Sequence, residues 1–479
     1  MNSLQADAVP RPSAEETEAF DAAFACVHGA RMAYVVLNAR TRSHPDYVDP
    51  EGFIDGVCTA AFADRALWTP ERVDRFWRHV EGRDPPAKFA LVAASLHALR
   101  RGERARAGAS AKRALALLQN DLFLQSIHRR ATRPEADDEG LKERFCRVPF
   151  ENLETAPNGD AYFCCPAWLP VPIGNIEDGD VWNAPAAQDI RASIHDGSYR
   201  HCSRVHCPKL SGGTLEAKAD IKDRALAAVV AAKATRLERK PKNVILSHDR
   251  SCNLACPSCR TGLVLAGKAE QDRLNRLADE TIFPLLSDAK RLRLTGSGDP
   301  FGSAHFQYVL KNLHKAGNDA IRLVLQTNGL LLTERLWNGL RLEGRVDAVI
   351  VSADAADAAT YAVVRRGGDF ARLLRNLDFV ASLRREGRIG SFRLDFVVQA
   401  LNYREMPAFV RLARRLGCDG VKFQMLRSWG TFAADEYAGH DVGAPAHPAH
   451  GDFLAVLRDP ALDWEGVEVW GLDRSLRTA

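Results

Sequence analysis

The sequence predicts an α/β protein whose second half is built on a parallel sheet. Short runs suited to strands alternate there with longer helical stretches. Alternating β and α implies parallel strands, either in an open doubly wound sheet or in a barrel. The composition is that of a folded chain, with 46% hydrophobic and 26% charged residues, not of a disordered one. A length of 479 residues allows two to four domains at about 100–200 residues each.

Residues 1–140 read as a helical domain. Phe89, Val92, Leu96 and Leu99 recur at helical spacing, Gly102 interrupts, and Ala107, Ala114, Leu115 and Leu118 resume. The hairpin over 87–118 looks like one tetratricopeptide-type (TPR-like) repeat, which would offer a groove to a peptide or partner. A plain packing hairpin is the alternative, because stable arrays need about three units. Residues 141–215 change character. Pro, Gly, Asn and Cys dominate, with turn signals at Pro157-Asn158-Gly159 and Ile173-Gly174-Asn175, as in a small loop-rich module stapled by ligands. The alanine-rich, charged stretch 217–239 has no breaker and predicts a linking helix across 216–240.

The α/β core is expected over 241–430. Strands are predicted at 243–248, 291–295, 321–327, 347–352, 392–399 and 421–426, with amphipathic segments such as 370–384 and 405–416 between them. Residues 431–479 read as a tail with turns at Gly443, Pro445 and Pro448 and a last helix near 452–457.

Several function classes are excluded by charge and hydropathy. A net charge of +4 with pI near 8.5 is too mild to argue for nucleic acid. No apolar run approaches the ~18–20 residues of a membrane span. Residues 1–13 lack an apolar signal core. The expectation is a cytoplasmic protein with no nucleic-acid or membrane partner. Eight of the eleven cysteines fall between Cys146 and Cys259. In a reducing compartment, clustered thiols read as metal ligands and not as disulfides. Cys26, Cys58 and Cys418 are isolated and are expected to be buried small residues. His440, His447 and His450 are expected in solvated loops.

Immediately after the first core strand comes Cys252-Asn253-Leu254-Ala255-Cys256-Pro257-Ser258-Cys259, spaced C-x3-C-x2-C. Three thiolates on so short a loop can hold three corners of one iron–sulfur cluster and leave the fourth iron without a protein ligand. An open metal position suits catalysis. The rival readings are a purely structural cluster, or a zinc site completed by His248 or a remote side chain.

This loop resembles the signature of the radical S-adenosylmethionine (radical SAM) enzymes, and later elements over 241–430 resemble the family in the same order. Thr295-Gly296-Ser297-Gly298-Asp299-Pro300 stands where the family has a Gly-Gly-Glu-Pro-like turn that holds the methionine amino group, with Ser297 and Asp299 as departures. Gln326-Thr327-Asn328-Gly329 ends the next strand. Ser352 and Asp354 stand where the family binds ribose. Arg365 or Arg366 matches a usual partner of the SAM carboxylate, and Gln399 and Asn402 fall near a looser motif. The resemblance implies a partial (βα)6 TIM-type barrel and a catalytic 4Fe-4S cluster on Cys252, Cys256 and Cys259. It also implies S-adenosyl-L-methionine, and an electron donor such as flavodoxin or ferredoxin. The implied chemistry is one-electron cleavage of SAM to a 5′-deoxyadenosyl radical that abstracts hydrogen from a substrate.

Strand alternation puts Arg393, Asp395, Val397 and Gln399 on one face, and Lys422 and Gln424 on the matching face of the next strand. Arg393, Asp395, Lys422 and Gln424 are therefore the candidate substrate-facing residues and suit a polar substrate. Interior ion pairs that merely fill space are the alternative.

The upstream cysteines resemble the SPASM/twitch class of auxiliary-cluster modules, through Gly159-x4-Cys164 and Cys202-x4-Cys207-Pro208. That resemblance implies a second 4Fe-4S cluster on Cys146, Cys164, Cys202 and Cys207. Neighbours in an extended chain point to opposite sides, so Cys164 and Cys165 are not expected to serve the same cluster, and the Gly159-x4-Cys164 interval favours Cys164 with Cys165 as the spare. Such modules usually follow the barrel, whereas here the cysteines precede it. A zinc knuckle is the alternative. The substrate expected is a peptide or protein side chain. A sugar or small polar metabolite, or a non-catalytic cluster protein that binds a partner, are the other readings.

Overall fold

The computed structural model describes residues 14–29, 50–64, 66–83, 87–101, 103–117, 127–128, 131, 139–166, 168–169, 171–203, 207–294, 297–427 and 431–470. They divide into two units. One comprises Met1–Pro149, Asn158–Gly174 and Asn183–Arg236, the other Phe150–Pro157, Asn175–Trp182 and Leu237–Ala479.

The first unit opens with α1 (Ala14–Gly29), α2 (Pro50–Ala61), α3 (Pro70–Glu81), α4 (Lys88–Arg100) and α5 (Arg104–Leu117). Their packing follows from helical periodicity. Phe20, Ala23 and Val27 are buried at three- and four-residue spacing on α1, as are Phe76, Trp77 and Val80 on α3. Thr69 caps α3 by accepting from Arg72 N–H, and Pro70 occupies its first turn. The hairpin of α4 and α5 falls where the spacing predicts it. Gly102 and Leu118 lie outside the described residues.

Further along this unit, α6 (Pro185–His195) buries Arg191 completely. Its guanidinium donates to the carbonyls of Pro149 and Thr235, at 2.9 Å each, and lies over the Phe163 ring. One buried cation thus ties three distant stretches of a loop-rich segment. The linking helix expected over 217–239 is shorter than its composition suggests. Glu216–Ala217 is a strand, and α7 spans only Arg224–Ala231. The Asp223 carboxylate accepts from Ala225 and Leu226 N–H and so starts the helix there, and Lys233 at φ 49° lies just beyond its end.

The second unit carries eight strands: β1 (Asn152–Thr155), β2 (Asn243–Leu246), β3 (Arg291–Leu294), β4 (Arg322–Thr327), β5 (Val346–Ser352), β6 (Ser391–Val398), β7 (Gly420–Met425) and β8 (Val467–Trp470). Neighbours pair in parallel in sequence order from β1 to β8. The connections include α8 (Lys268–Leu277), α9 (Ala304–Lys311), α10 (Ala358–Val364), α11 (Phe370–Arg385) and α12 (Met406–Leu416). The result is a mixed α/β unit on a parallel sheet, as predicted. All six predicted core strands are present. β1 and β8 are additions, lying in stretches read as loop and tail.

Burial explains the register. Along β6, residues alternate half-buried and buried, and Phe392, Leu394, Phe396 and Val398 form the buried face. Phe396 packs edge-on against Phe409 of α12 and Phe423 of β7. A one-residue slip would expose all four, at roughly 1.5–3 kcal/mol per side chain. The last helix spans His450–Val456, close to expectation. His447 bonds the Gly439 carbonyl and His450 that of Val442, so these rings hold turns together. Cys418 is buried as expected, but Cys58 is half-buried and Cys26 exposed. Cys26 lies on the solvent side of α1, one position before the buried Val27.

Candidate active site

The cysteine loop leaves the end of β2 and is pinned at several points. Cys252 N–H bonds Val264 O at 2.9 Å, and Cys259 and Arg260 N–H both close on Cys256 O. Arg366 Nε and Nη2 donate to the carbonyls of Ala255 and Thr261, while Ala255 N–H returns to Arg366 O. Arg260 reaches Arg250 O at 2.8 Å and Ser297 O at 2.7 Å.

Each of the three sulfurs then faces one nitrogen donor. Asn328 Nδ2 lies 3.6 Å from Cys252 Sγ, Arg365 Nη1 3.9 Å from Cys256 Sγ, and Arg260 Nη2 3.4 Å from Cys259 Sγ. Burial pushes the Cys252 and Cys256 thiols up, against the pull of Arg260 on the first and Arg365 on the second. Ligation to cluster iron removes that penalty, since metal selects the thiolate. Sequence reasoning assigned no role to Arg260 or to Asn328. The signals were a cation directly after the third cysteine and the Asn of Gln326-Thr327-Asn328-Gly329.

The turn after β3 packs onto this loop. A Cβ at Gly298 would lie 2.6 Å from Asp249 O and 2.7 Å from Ser251 O, so glycine is required there. Ser297 Oγ donates to Ser247 O at 2.5 Å. Thr295 and Gly296 lie outside the described residues. Asp299 is buried with both oxygens engaged. Oδ1 accepts from Phe301 and Gly302 N–H, and Oδ2 from Thr327 Oγ1 and Asn328 N–H. Its carboxylate thus joins the ends of β3 and β4, with two donors already at each oxygen.

Asp354, Arg365, Gln399 and Asn402 form one network. Asp354 is buried at φ 61°, a costly backbone for a non-glycine residue. Its Oδ2 pairs with Arg365 at 2.8 Å and its Oδ1 accepts from Val397 N–H. Asn402 Nδ2 donates to Asp354 O and Val397 O, while its Oδ1 accepts from Gln399 N–H. Ser352 ends β5 half-buried, in register with Asp395. The two neighbouring arginines separate cleanly. Arg366 is committed to loop carbonyls. Arg365 is half-buried between Asp354 and Cys256, and its buried Nε has no hydrogen-bond partner among the described residues. A buried orphan donor beside a ligand cysteine fits an anionic group of a bound cofactor.

The polar faces of β6 and β7 are half-buried, as alternation predicts. Arg393 and Asp395 pair with each other at 2.7 and 3.1 Å. Lys422 Nζ sits 3.5 Å over the Trp470 ring, in register with Asp395 and Glu468. Gln424 lies one pair further along the same face of β7. Part of the predicted substrate-facing set is therefore satisfied internally. A cavity of about 710 Å³ lies toward the starts of the strands, lined among others by Asn243, Arg291, Ser391 and Gly420. These are the first residues of β2, β3, β6 and β7, at the opposite strand ends from the cysteine loop.

His248 does not serve the cysteine loop. Its Nε2 is 2.9 Å from His305 Nε2 and its Nδ1 3.2 Å from Thr155 Oγ1. With both ring nitrogens taken, zinc completed by His248 is excluded. His305 in turn meets Asn275 Oδ1. Burial holds both rings well below the ordinary histidine range.

In the first unit, the auxiliary cysteines gather. Burial raises the Cys164 thiol, and Cys202, Cys146, Cys207 and finally Cys165 raise it further, in that order. The other three expected ligands are thus within electrostatic reach of Cys164. Gly159, at φ 83°, makes the turn that precedes Cys164. Cys202 N–H bonds Tyr199 O, and Cys207 N–H bonds Ser203 O. Among the described residues, no group of three or more His, Cys, Asp or Glu side chains is already drawn together around a metal position, at either cysteine set.

Comparison with known proteins agrees with this layout. The radical SAM superfamily matches residues 246–413, and the SPASM iron–sulfur cluster-binding domain matches residues 146–208, ahead of it in the chain. The chain therefore carries a radical SAM domain preceded by a SPASM module. This pairing implies a catalytic 4Fe-4S cluster, an auxiliary cluster and bound SAM. An AdoMet-dependent heme synthase of Methanosarcina barkeri is 30% identical over 182 residues, 37% of this chain and 48% of its own. A GTP 3′,8-cyclase of Caulobacter vibrioides is 31% identical over 174 residues, 35% of this chain and 47% of its own. The chain thus spans about half the length of the curated relatives it matches. Among solved structures, Streptococcus suis SuiB is 14% identical with a TM-score of 0.35, covering 61% of this chain and 66% of that one. Among the described residues, no helix is long and apolar enough to cross a membrane.

Proposed function

We propose that this chain is a radical SAM enzyme that abstracts hydrogen from a peptide or protein side chain. The supporting observation is the three-thiol loop with a nitrogen donor at each sulfur and an unpartnered buried Arg365 Nε beside Cys256. The bound cluster and SAM supply one-electron reduction and hydrogen abstraction; the chain supplies position and exclusion of water. Cys252, Cys256 and Cys259 hold the catalytic cluster. Asn328, Arg260 and Arg365 donate to the sulfurs, which moderates their charge as outer hydrogen bonds do at such centres. Arg365 further offers its free Nε to the SAM carboxylate, and Asp354 fixes that guanidinium. Gly298 admits close backbone approach, Ser297 ties the turn down, and Asp299 braces it. Ser352, Gln399 and Asn402 shape the strand ends where the nucleoside would lie. The sheet is read as a partial (βα)6 barrel, supported by a cavity that seven successive strands, β2 to β8, line together.

Cys146, Cys164, Cys202 and Cys207 hold the auxiliary cluster. A flavodoxin or ferredoxin is the proposed electron donor, in the cytoplasm. The helical hairpin of the first unit, read as TPR-like, favours a peptide or protein substrate. The charged interior of Arg393, Asp395, Lys422 and Gln424 equally suits a sugar or small polar metabolite. The test is 5′-deoxyadenosine formation after anaerobic reconstitution. Wild type should form it, and Cys252→Ala, Cys256→Ala and Cys259→Ala should each abolish it. Undiminished formation in all three variants overturns the reading.

A further inference from the structure

The interior of the second unit holds one cation whose circumstances differ from those of its neighbours. Arg291 pairs with Asp347, Arg393 with Asp395, and Lys422 lies over the Trp470 ring. Arg293, on the same face of β3 and lining the cavity, makes a 2.5 Å bond to the amide oxygen of Gln326 and no ion pair among the described residues. The carboxylates close enough to act on it are Asp395, already held by Arg393, and Glu154 on β1. Burial favours the neutral form of Glu154, raising it despite Arg293. A half-buried guanidinium whose hydrogen bond among the described residues goes to a neutral amide is an unusual thing to keep in a sheet interior, because burial of a charge is costly unless it is matched.

Its surroundings are those of a ligand site. The cavity volume, about 710 Å³, falls in the range of small-molecule pockets, and such pockets combine apolar walls with a few convergent polar groups. Ile245, Val324 and Ile350 supply apolar wall; of the charged lining, Arg291 and Asp347 pair with each other, Arg393 and Asp419 are paired with Asp395 and Arg384, Glu465 and Glu468 are exposed, and Arg293 is the guanidinium left for a ligand. We propose that this cavity is a recognition site for an aliphatic carboxylate, with Arg293 as the residue that binds the carboxylate. The apolar wall selects the aliphatic body, and the planar guanidinium matches a carboxylate. Gln326 holds the guanidinium in place while leaving its other donors for the ligand. The cavity lies at the opposite strand ends from the cysteine loop, so the site is argued independently of the radical chemistry proposed above.

Hexanoate and its neutral isostere hexanamide are the probes, titrated calorimetrically into the reconstituted full-length protein. Hexanoate should bind in the millimolar range or tighter, the expectation for a ligand of this size. Hexanamide should bind about tenfold more weakly or worse, as should hexanoate to Arg293→Gln, since a charge-assisted bond is lost in each case. Arg293→Lys should recover part of the affinity for hexanoate and none for hexanamide. Equal binding of the two probes to wild type overturns the proposal without any variant, as does absence of hexanoate binding. Undiminished hexanoate binding to a folded Arg293→Gln overturns the role of Arg293. Formation of 5′-deoxyadenosine by wild type is scored separately, so failure of the radical SAM reading and failure of the anion site give different results.

Discussion

Arg365 and Arg366 are adjacent, yet their surroundings give them separate tasks. Arg366 spends its donors on the carbonyls of Ala255 and Thr261, whereas Arg365 lies beside Cys256 with a buried Nε that has no partner among the described residues. Arg365→Gln should raise the dissociation constant for SAM on the cluster-loaded protein about tenfold or more, the worth of a charge-assisted bond. Arg366→Ala should instead lower the iron retained after gel filtration and leave SAM affinity of the loaded fraction near wild type. Equal loss of SAM affinity in both variants would refute the division. The sequence placed one of the pair near SAM but could not choose, because adjacent residues just past the end of α10 differ by direction and not by type. The same limit applied to Asp299. Its position after β3 was legible; its four donors were not, since they come from residues on both sides of a turn and from the end of β4. Alternation says only that Cys164 and Cys165 do not share a cluster, and the Gly159-x4-Cys164 interval is what favours Cys164. Cys164→Ala should therefore lose the auxiliary iron, and Cys165→Ala should keep it, as measured by iron content per chain.

Helices and strands were legible to the extent that one face is buried. The six core strands read well because their buried faces alternate with period two, as β6 does without a break. β1 and β8 were missed because each has four residues among turn signals, and only pairing with β2 and β7 defines them. The helix over 217–239 was overestimated because alanine propensity extends beyond the stretch that Asp223 starts. The α3–α5 region adds an electrostatic feature invisible to periodicity. Asp74 on α3 accepts from Arg106 at 2.6 Å and Arg78 at 2.9 Å. Burial alone would raise its carboxyl, but those bonds bring it from 3.8 down to about 2. A carboxyl held lower in the folded than in the unfolded chain adds stability above its unfolded value, and that stability fades as pH falls through the folded one. Asp74→Asn should therefore lower the denaturation midpoint at neutral pH. Its deficit against wild type should narrow between about pH 4 and about pH 2. A deficit that stays constant across that window would show that packing, not the charge, is what the substitution removes.

At the scale of the whole chain, the two cysteine sets belong to different units. Cys252, Cys256 and Cys259 belong to one, and Cys146, Cys164, Cys202 and Cys207 to the other. Cluster arithmetic then gives about eight irons per chain, and the variant lacking Cys252, Cys256 and Cys259 should keep about half. Zinc without iron in that variant would favour a knuckle. The two sets also differ in what they leave open. Three thiolates leave one iron of a four-iron cluster free, whereas four close it, so SAM should engage only the catalytic cluster. A closed cluster still passes electrons, because outer-sphere transfer needs no vacant site. It can take up the electron released when a substrate radical is oxidised, or it can simply brace its module. Cys146→Ala and Cys202→Ala should then split two steps that wild type couples: 5′-deoxyadenosine formation should persist while conversion of the true substrate fails. Electron paramagnetic resonance of the triple variant decides the ligation. Its remaining signal should be unmoved by added SAM if four cysteines close the auxiliary cluster. A shift on adding SAM would mean that one of the four does not ligate and that Cys165 has not taken its place.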